Sequence, residues 1–330
     1  MPARLLNSIL FASILAIGVS SAQEGTAEVP VPGNVYAQIM ACGAGGQAYF
    51  PLEGGEHSAL RVSLDGSTVT FRLPGKAYPN AVAPYADGVN VLGRSPGSPE
   101  PKFVIYHFDN LGKLLMQHSV SIDLNETMMA TTSSGTTILV GHHPAMSPQD
   151  EDWKYRGLVL DAEDRVVSRF ELPSPPAGET WTFGRNGGLP NGRLLMTAGD
   201  GAAYVLLHSD EPPTTMIATI SESGKLHVKT VPEPVLGETP GTTWLVGQGV
   251  AVEMYHLDGD SRRIGVYPVW NFDEYDLKGG KRIASKTAPM GSAMPFSAAC
   301  YYGDFVTGLG ARTQVIPDEP YLRLRIAKLQ

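Results

Sequence analysis

Met129-Ala-Thr-Thr-Ser-Ser-Gly135 runs directly into Thr136-Thr-Ile-Leu-Val140: a short apolar run, a turn centred on glycine, and a second apolar run. The same arrangement stands upstream as Met40-Ala-Cys-Gly-Ala-Gly-Gly46 before Gln47-Ala-Tyr-Phe50, and as Ala83-Pro-Tyr-Ala-Asp-Gly88 before Val89-Asn-Val-Leu92. Downstream it returns as Met196-Thr-Ala-Gly-Asp-Gly201 before Ala202-Ala-Tyr-Val-Leu-Leu207, Leu245-Val-Gly-Gln-Gly249 before Val250-Ala-Val-Glu-Met254, and Ala298-Ala-Cys-Tyr-Tyr-Gly303 before Asp304-Phe-Val-Thr307. The six anchoring glycines, Gly46, Gly88, Gly135, Gly201, Gly249 and Gly303, are separated by 42, 47, 66, 48 and 54 residues. A recurrence on this scale marks a structural repeat of one supersecondary unit.

Between successive anchors lies a second landmark, a hairpin turn after a strand: Leu64-Asp-Gly66, Phe108-Asp-Asn-Leu-Gly112, Leu160-Asp-Ala-Glu-Asp164 and Ile220-Ser-Glu-Ser-Gly224. In the fifth unit it blurs, around Phe272-Asp-Glu-Tyr-Asp-Leu277. Asp and Gly suit such turns, because one bonds its own backbone and the other tolerates positive φ. Each unit then reads as strand, Gly turn, strand, loop, strand, Asp turn, strand. The fold class expected is all-β, a six-bladed β-propeller of four-stranded antiparallel blades. A solenoid is the competing arrangement. After Tyr321 to Ala327 the sixth blade lacks one strand, which a segment within Ala27 to Tyr36 can supply if the ring closes.

Composition agrees with β structure. There are 37 Gly and 26 Pro, and only 18% of residues are charged, which leaves little material for long amphipathic helices. Ser67-Thr-Val-Thr-Phe-Arg-Leu73, Leu226-His-Val-Lys-Thr-Val231 and Tyr321-Leu-Arg-Leu-Arg-Ile326 alternate with period two, as half-buried strands do. A formal charge of −8 with scattered Lys and Arg argues against nucleic-acid partners and anionic membrane surfaces.

Residues 1–22 read as a secretory signal peptide, with Arg4, an apolar stretch from Ile9 to Val19, and Ser20-Ser21-Ala22 at the cleavage site. The apolar stretch is too short to span a bilayer, so no membrane insertion is expected. Residues 23–330 then form a single propeller domain, periplasmic or secreted. Cys42 and Cys300 occupy matching places before the first and last anchors. In an exported chain with neighbouring first and last blades they are expected to pair; buried free thiols are the alternative.

No G-x-S-x-G, H-E-x-x-H, C-x-x-C, phosphate-loop or dinucleotide fingerprint occurs, so whether the chain is an enzyme stays open. Seven residues after three successive anchors come His142, His208 and His256. They are candidate ligands for a divalent metal, the one cofactor suggested, or else plain strand-end histidines too far apart to share an ion. The long insertion from Pro173 to Leu195 carries Trp181, Phe183, Arg185 and Asn186, which suit a sugar, peptide or aromatic ligand; packing over the channel mouth is the other reading. Asp150-Glu-Asp152 and Asp258-Gly-Asp260 lack the spaced oxygens of a calcium loop and read as solvated charge.

The repeated turn Asp65-Gly66, Asp109-Asn-Leu-Gly112 and Asp161 resembles that of secreted bacterial six-bladed propellers of the NHL or TolB type. The resemblance is one of blades. It implies either a module that binds a small molecule or protein on its loop-rich face, or a metal-dependent lyase or hydrolase.

Overall fold

The computed structural model describes residues 26–31, 40–43, 45–52, 57–95, 102–143, 154–174, 196–199, 201–210, 213–231, 238–239, 243–246, 250–257, 269–276, 281–289, 298–302, 304–311 and 322–330. Among them every regular element is a β-strand. After β1 (Thr26–Pro30) the first sheet holds β2 (Ala41–Cys42), β3 (Ala48–Pro51), β4 (Ser58–Val62) and β5 (Thr68–Arg72). The second holds β6 (Tyr78–Tyr85), β7 (Gly88–Arg94), β8 (Phe103–Asp109) and β9 (Leu114–Val120), and the third β10 (Asn125–Thr131), β11 (Thr137–His142), β12 (Tyr155–Leu160) and β13 (Val166–Glu171). The fourth comprises β14 (Met196–Gly199), β15 (Ala202–Asp210), β16 (Pro213–Ser221) and β17 (Leu226–Val231).

In the fifth sheet the first position is shared by two short strands. Both β18 (Glu238–Thr239) and β19 (Thr243–Val246) pair with β20 (Val250–Leu257), which continues to β21 (Val269–Asp276) and β22 (Lys281–Pro289). The last sheet is β23 (Ala298–Tyr302), β24 (Phe305–Ala311) and β25 (Leu322–Lys328), completed by β1, which pairs antiparallel with β25 from Thr26↔Ala327 to Pro30↔Arg323. The N-terminal segment thus supplies the outermost strand of the C-terminal sheet. The fold is an all-β propeller of four-stranded antiparallel blades.

Contacts between sheets run through their first strands. β2 touches β6, β6 touches β10, β10 touches β14, β14 touches β19, β19 touches β23, and β23 returns to β2. At that last junction Cys42 and Cys300 form a disulfide, with Cα atoms 5.5 Å apart. The expected signal peptide, residues 1–22, and its boundary with the domain lie outside the described residues, and among the described residues no helix is long and apolar enough to cross a membrane.

The core lies in the seams between consecutive sheets. Tyr49, Phe71 and Leu73 of the first sheet pack with Val89, Val91, Tyr106 and Phe108 of the second. The opposite face of the second sheet, with Leu92, Phe103 and Ile105, packs on Met129, Leu139 and Leu158 of the third. Inner strands are covered on both faces, so β7 and β8 are buried nearly throughout, while the outermost β5, β9 and β13 alternate or are exposed. This explains why the clearest period-two stretches, Ser67–Leu73 and Leu226–Val231, are the outermost strands β5 and β17.

The two ends of each sheet differ. At one end lie tight turns, such as those between Tyr85 and Gly88 or Asp109 and Leu114. At the other, the chain takes long excursions from Arg94 to Phe103, His142 to Tyr155, Glu171 to Met196, Leu257 to Val269 and Ala311 to Leu322. Shorter links leave that end from Pro51 to Ser58, Arg72 to Tyr78, Val120 to Asn125 and Asp210 to Pro213.

Candidate functional site

The outer hairpin turns share one backbone plan. Gly66 N–H donates to Ser63 O, Gly112 N–H to Asp109 O, Asp164 N–H to Asp161 O and Gly224 N–H to Ser221 O. Three of these four positions are glycines with φ of 83°, 86° and 80°; the fourth is Asp164, at φ 61°. A left-handed residue with a side chain costs about 1 kcal/mol relative to glycine, less for Asp than for bulkier types. The turn itself is well made without that side chain's help. Asp161 Oδ1 accepts from the backbone N–H groups of Glu163 and Arg165 at 3.1 and 2.9 Å, and the Arg165 guanidinium hydrogen-bonded to it holds the half-buried Asp161 carboxyl below its ordinary value.

What the Asp164 side chain does is reach across the seam to the second sheet. Its Oδ2 accepts from His107 Nε2 at 2.6 Å and from His118 Nδ1 at 2.8 Å. His107 continues the Phe103–Ile105 stripe of β8 that faces the third sheet, and His118 on β9 sits opposite Ile105, so the pleat places both rings on one face, one step apart along the hairpin. Their centroids are 5.8 Å apart, edge to face. The Asp164 and His107 side chains are buried, whereas 40% of the His118 side chain is exposed, which leaves the cluster one opening to solvent.

The equivalent Cβ at Gly112 would lie 2.7 Å from Thr70 O, and at Gly224 it would collide with the Ser168 side chain. At Gly66 a Cβ would meet only Val29 Cγ1, at an ordinary 3.6 Å, so space alone does not decide which of the four turns carries a side chain. The seam between the second and third sheets is polar at its turn end: Asn90, cross-strand from His107, donates through Nδ2 to the hydroxyls of Thr131 and Thr137 at 3.1 and 3.3 Å. Asp164 Oδ1, also buried, makes no hydrogen bond.

The nitrogen and oxygen atoms offered by His107, His118 and Asp164 all lie within 4.8 Å of one another, the spacing of a metal centre. Two imidazoles and a carboxylate suit a borderline divalent ion. Nearby, burial and then the charges of Asp87 and Asp164 push the Tyr85 phenol above its ordinary value. Burial also raises Tyr49, against an opposing pull from Arg61, and Tyr106. All three hold their protons more tightly folded than unfolded. Their contribution is therefore intact below the ordinary value of 10.0 and lost as pH climbs through the raised folded values. The expected result is a thermal midpoint that drops above about pH 10. Melting curves across that range check it, and a flat midpoint contradicts it.

The candidates expected from the sequence are other residues. His142, His208 and His256 stand on β11, β15 and β20, near the loop ends of the second strands of three successive sheets. His142 Nδ1 lies 3.1 Å from His143 O, and its ring centroid is 6.4 Å from that of Tyr155. The side chains of His208 and His256 lie outside the described residues, as do Trp181, Phe183, Arg185 and Asn186. The described histidines that converge on one carboxylate are His107 and His118. Their signal in the sequence was the aligned turn, in which an aspartate replaces the glycine used elsewhere.

No protein-family model matches the chain, and no curated protein matches it. Solved structures similar to it include a neuraminidase-like protein of A/little yellow-shouldered bat/Guatemala, with 11% identity over 93% of this chain and 99% of that one at a TM-score of 0.48. A member of the DUF4221 family from Bacteroides vulgatus has 9% identity over 93% and 96% of the two chains at a TM-score of 0.49. The polysaccharide lyase Uly1 has 11% identity over 88% and 90% at 0.44. At these levels the likeness says nothing of activity.

Proposed function

We propose that this chain is an extracytoplasmic binding propeller, a closed ring of six blades that presents its loop-rich end to a small molecule or a protein. The observation that supports binding at that end is the asymmetry of the sheets: nearly all long connections leave one end, while the other is trimmed to tight turns. Rigid sheets carrying variable loops are the usual way a scaffold displays a recognition surface. Six blades are supported by six antiparallel sheets whose first strands touch in cyclic order. The Cys42–Cys300 disulfide fits an oxidising compartment.

The test is an array of glycans and peptides probed with the disulfide-bonded protein and with a variant carrying Trp181→Ala and Arg185→Ala. A signal that falls at least about tenfold in the variant, at an unchanged thermal midpoint, supports the reading; in free energy that is about 1.4 kcal/mol. Equal signals, or none, count against it. A second reading is a metal-dependent lyase or hydrolase using His142, His208 and His256, favoured by their shared place at the loop end of three successive second strands. It requires that His208→Ala abolish both a bound metal and turnover.

A further inference from the structure

We propose that His107, His118 and Asp164 form a zinc site in the seam between the second and third sheets, on the rim of the propeller and apart from the loop-rich end. Three independent observations converge on it. The donor atoms lie within 4.8 Å of one another. Asp164 replaces glycine at a positive-φ turn position that is glycine in the three sister turns, so the chain accepts backbone strain to place a carboxylate there. The buried carboxylate leaves Oδ1 without a hydrogen bond while Oδ2 is shared by two imidazoles.

A hydrogen-bonded bridge alone accounts for Oδ2 but not for Oδ1. A buried carboxylate oxygen without a partner is costly, and a cation seated among the three side chains supplies one. Imidazole nitrogen selects against calcium and magnesium, which prefer all-oxygen shells, and points to a first-row ion. Zinc matches two histidines and one carboxylate with a fourth position left open. Zinc replaces the two hydrogen bonds to Oδ2: ligation uses the lone pairs of His107 Nε2 and His118 Nδ1, so in the zinc-bound form each ring carries its proton on the other nitrogen. The fourth position faces the opening beside the half-exposed His118 ring, where water or a donor from a partner completes the shell.

The binding sites tie together strands β8 and β9 of one sheet and the β12–β13 turn of the next, 46 to 57 residues apart in sequence. Zinc bound there clamps one seam of the ring. It does so whether or not the loop-rich end binds a ligand.

The experiment titrates zinc alone into the chelator-treated, disulfide-bonded protein, following heat by calorimetry and the thermal midpoint. One equivalent binds, and the midpoint rises. Asp164→Gly restores the residue of the sister turns and therefore keeps the turn, while Asp164→Asn keeps a similar shape without the charge. Both remove a ligand and weaken zinc binding by more than about 100-fold, beyond the roughly 10- to 100-fold that loss of a merely supporting group produces. Cobalt, used as a second probe, gives a visible absorption band in the wild-type protein that both variants lack. Zinc affinity in Asp164→Gly and Asp164→Asn equal to that of the wild type overturns the site, as does a wild-type protein that takes up no stoichiometric zinc.

Discussion

Replacing Cys42 and Cys300 together by alanine lowers the unfolding free energy by about 5 kcal/mol, the chain-entropy expectation for so long a loop and an upper figure. The two cysteines are 258 residues apart in sequence, and their bond joins the first strands of the first and last sheets. In the unfolded chain that bond holds the two ends of a long loop together and removes the entropy their separation would have. In the folded chain it sits where β23 already touches β2, so it asks for little rearrangement. The double variant still folds, because β1 remains paired with β25 and the seam clusters are untouched. Denaturant unfolding of the two proteins measures the difference. A change below about 1 kcal/mol means that the bond does not constrain the unfolded chain as the loop length requires.

Phe71→Ala costs about 3–5 kcal/mol, the range for emptying a fully buried phenylalanine site. Phe71 stands on the outermost strand of the first sheet, yet its side chain is 0% exposed. It packs against Tyr49 of its own sheet at 6.2 Å and against Phe108 of the next at 5.6 Å, so it is the aromatic link across one seam. Neither neighbour can follow into the space, since Tyr49 and Phe108 are held in β3 and β8 by ladders on both sides. Leu111→Ala serves as the control. Leu111 is 85% exposed at a turn tip, and its loss shifts stability by less than about 0.5 kcal/mol. Similar losses for the two variants would show that the seam is not a packed core.

The repeat was legible because its punctuation is chemical. Gly46, Gly66, Gly112, Gly135, Gly201 and Gly224 all have positive φ in the structure, and each belongs to one of the two turn landmarks that define the unit. The cysteine pair was legible for the same reason, since Cys42 and Cys300 hold equivalent places in that register. The fifth sheet was read less well at its outer turn. The stretch assigned to that turn, Phe272 to Leu277, lies almost wholly within β21 (Val269–Asp276), and it carries no glycine to mark where the chain reverses.

The His107–His118–Asp164 cluster was missed for a physical reason. Local motifs bring ligands together along one strand or helix, whereas here two sheets meet and the ligands are joined only by packing. His142, His208 and His256 share a repeat position on β11, β15 and β20, and that shared register is what made them visible in the sequence. The turn Leu160-Asp-Ala-Glu-Asp164 contained the informative departure. Aligned with Asp109-Asn-Leu-Gly112, it shows a side chain where the backbone prefers none, and such strain is kept where the side chain has a partner.

Diffraction from crystals of the disulfide-bonded protein tests the closed ring most directly. The expected result is six sheets around one axis, with β1 outermost in the sheet of β23, β24 and β25 and continuous density between Cys42 and Cys300. An open stack of sheets, or a chain in which residues 26–30 pair with a strand other than β25, contradicts it.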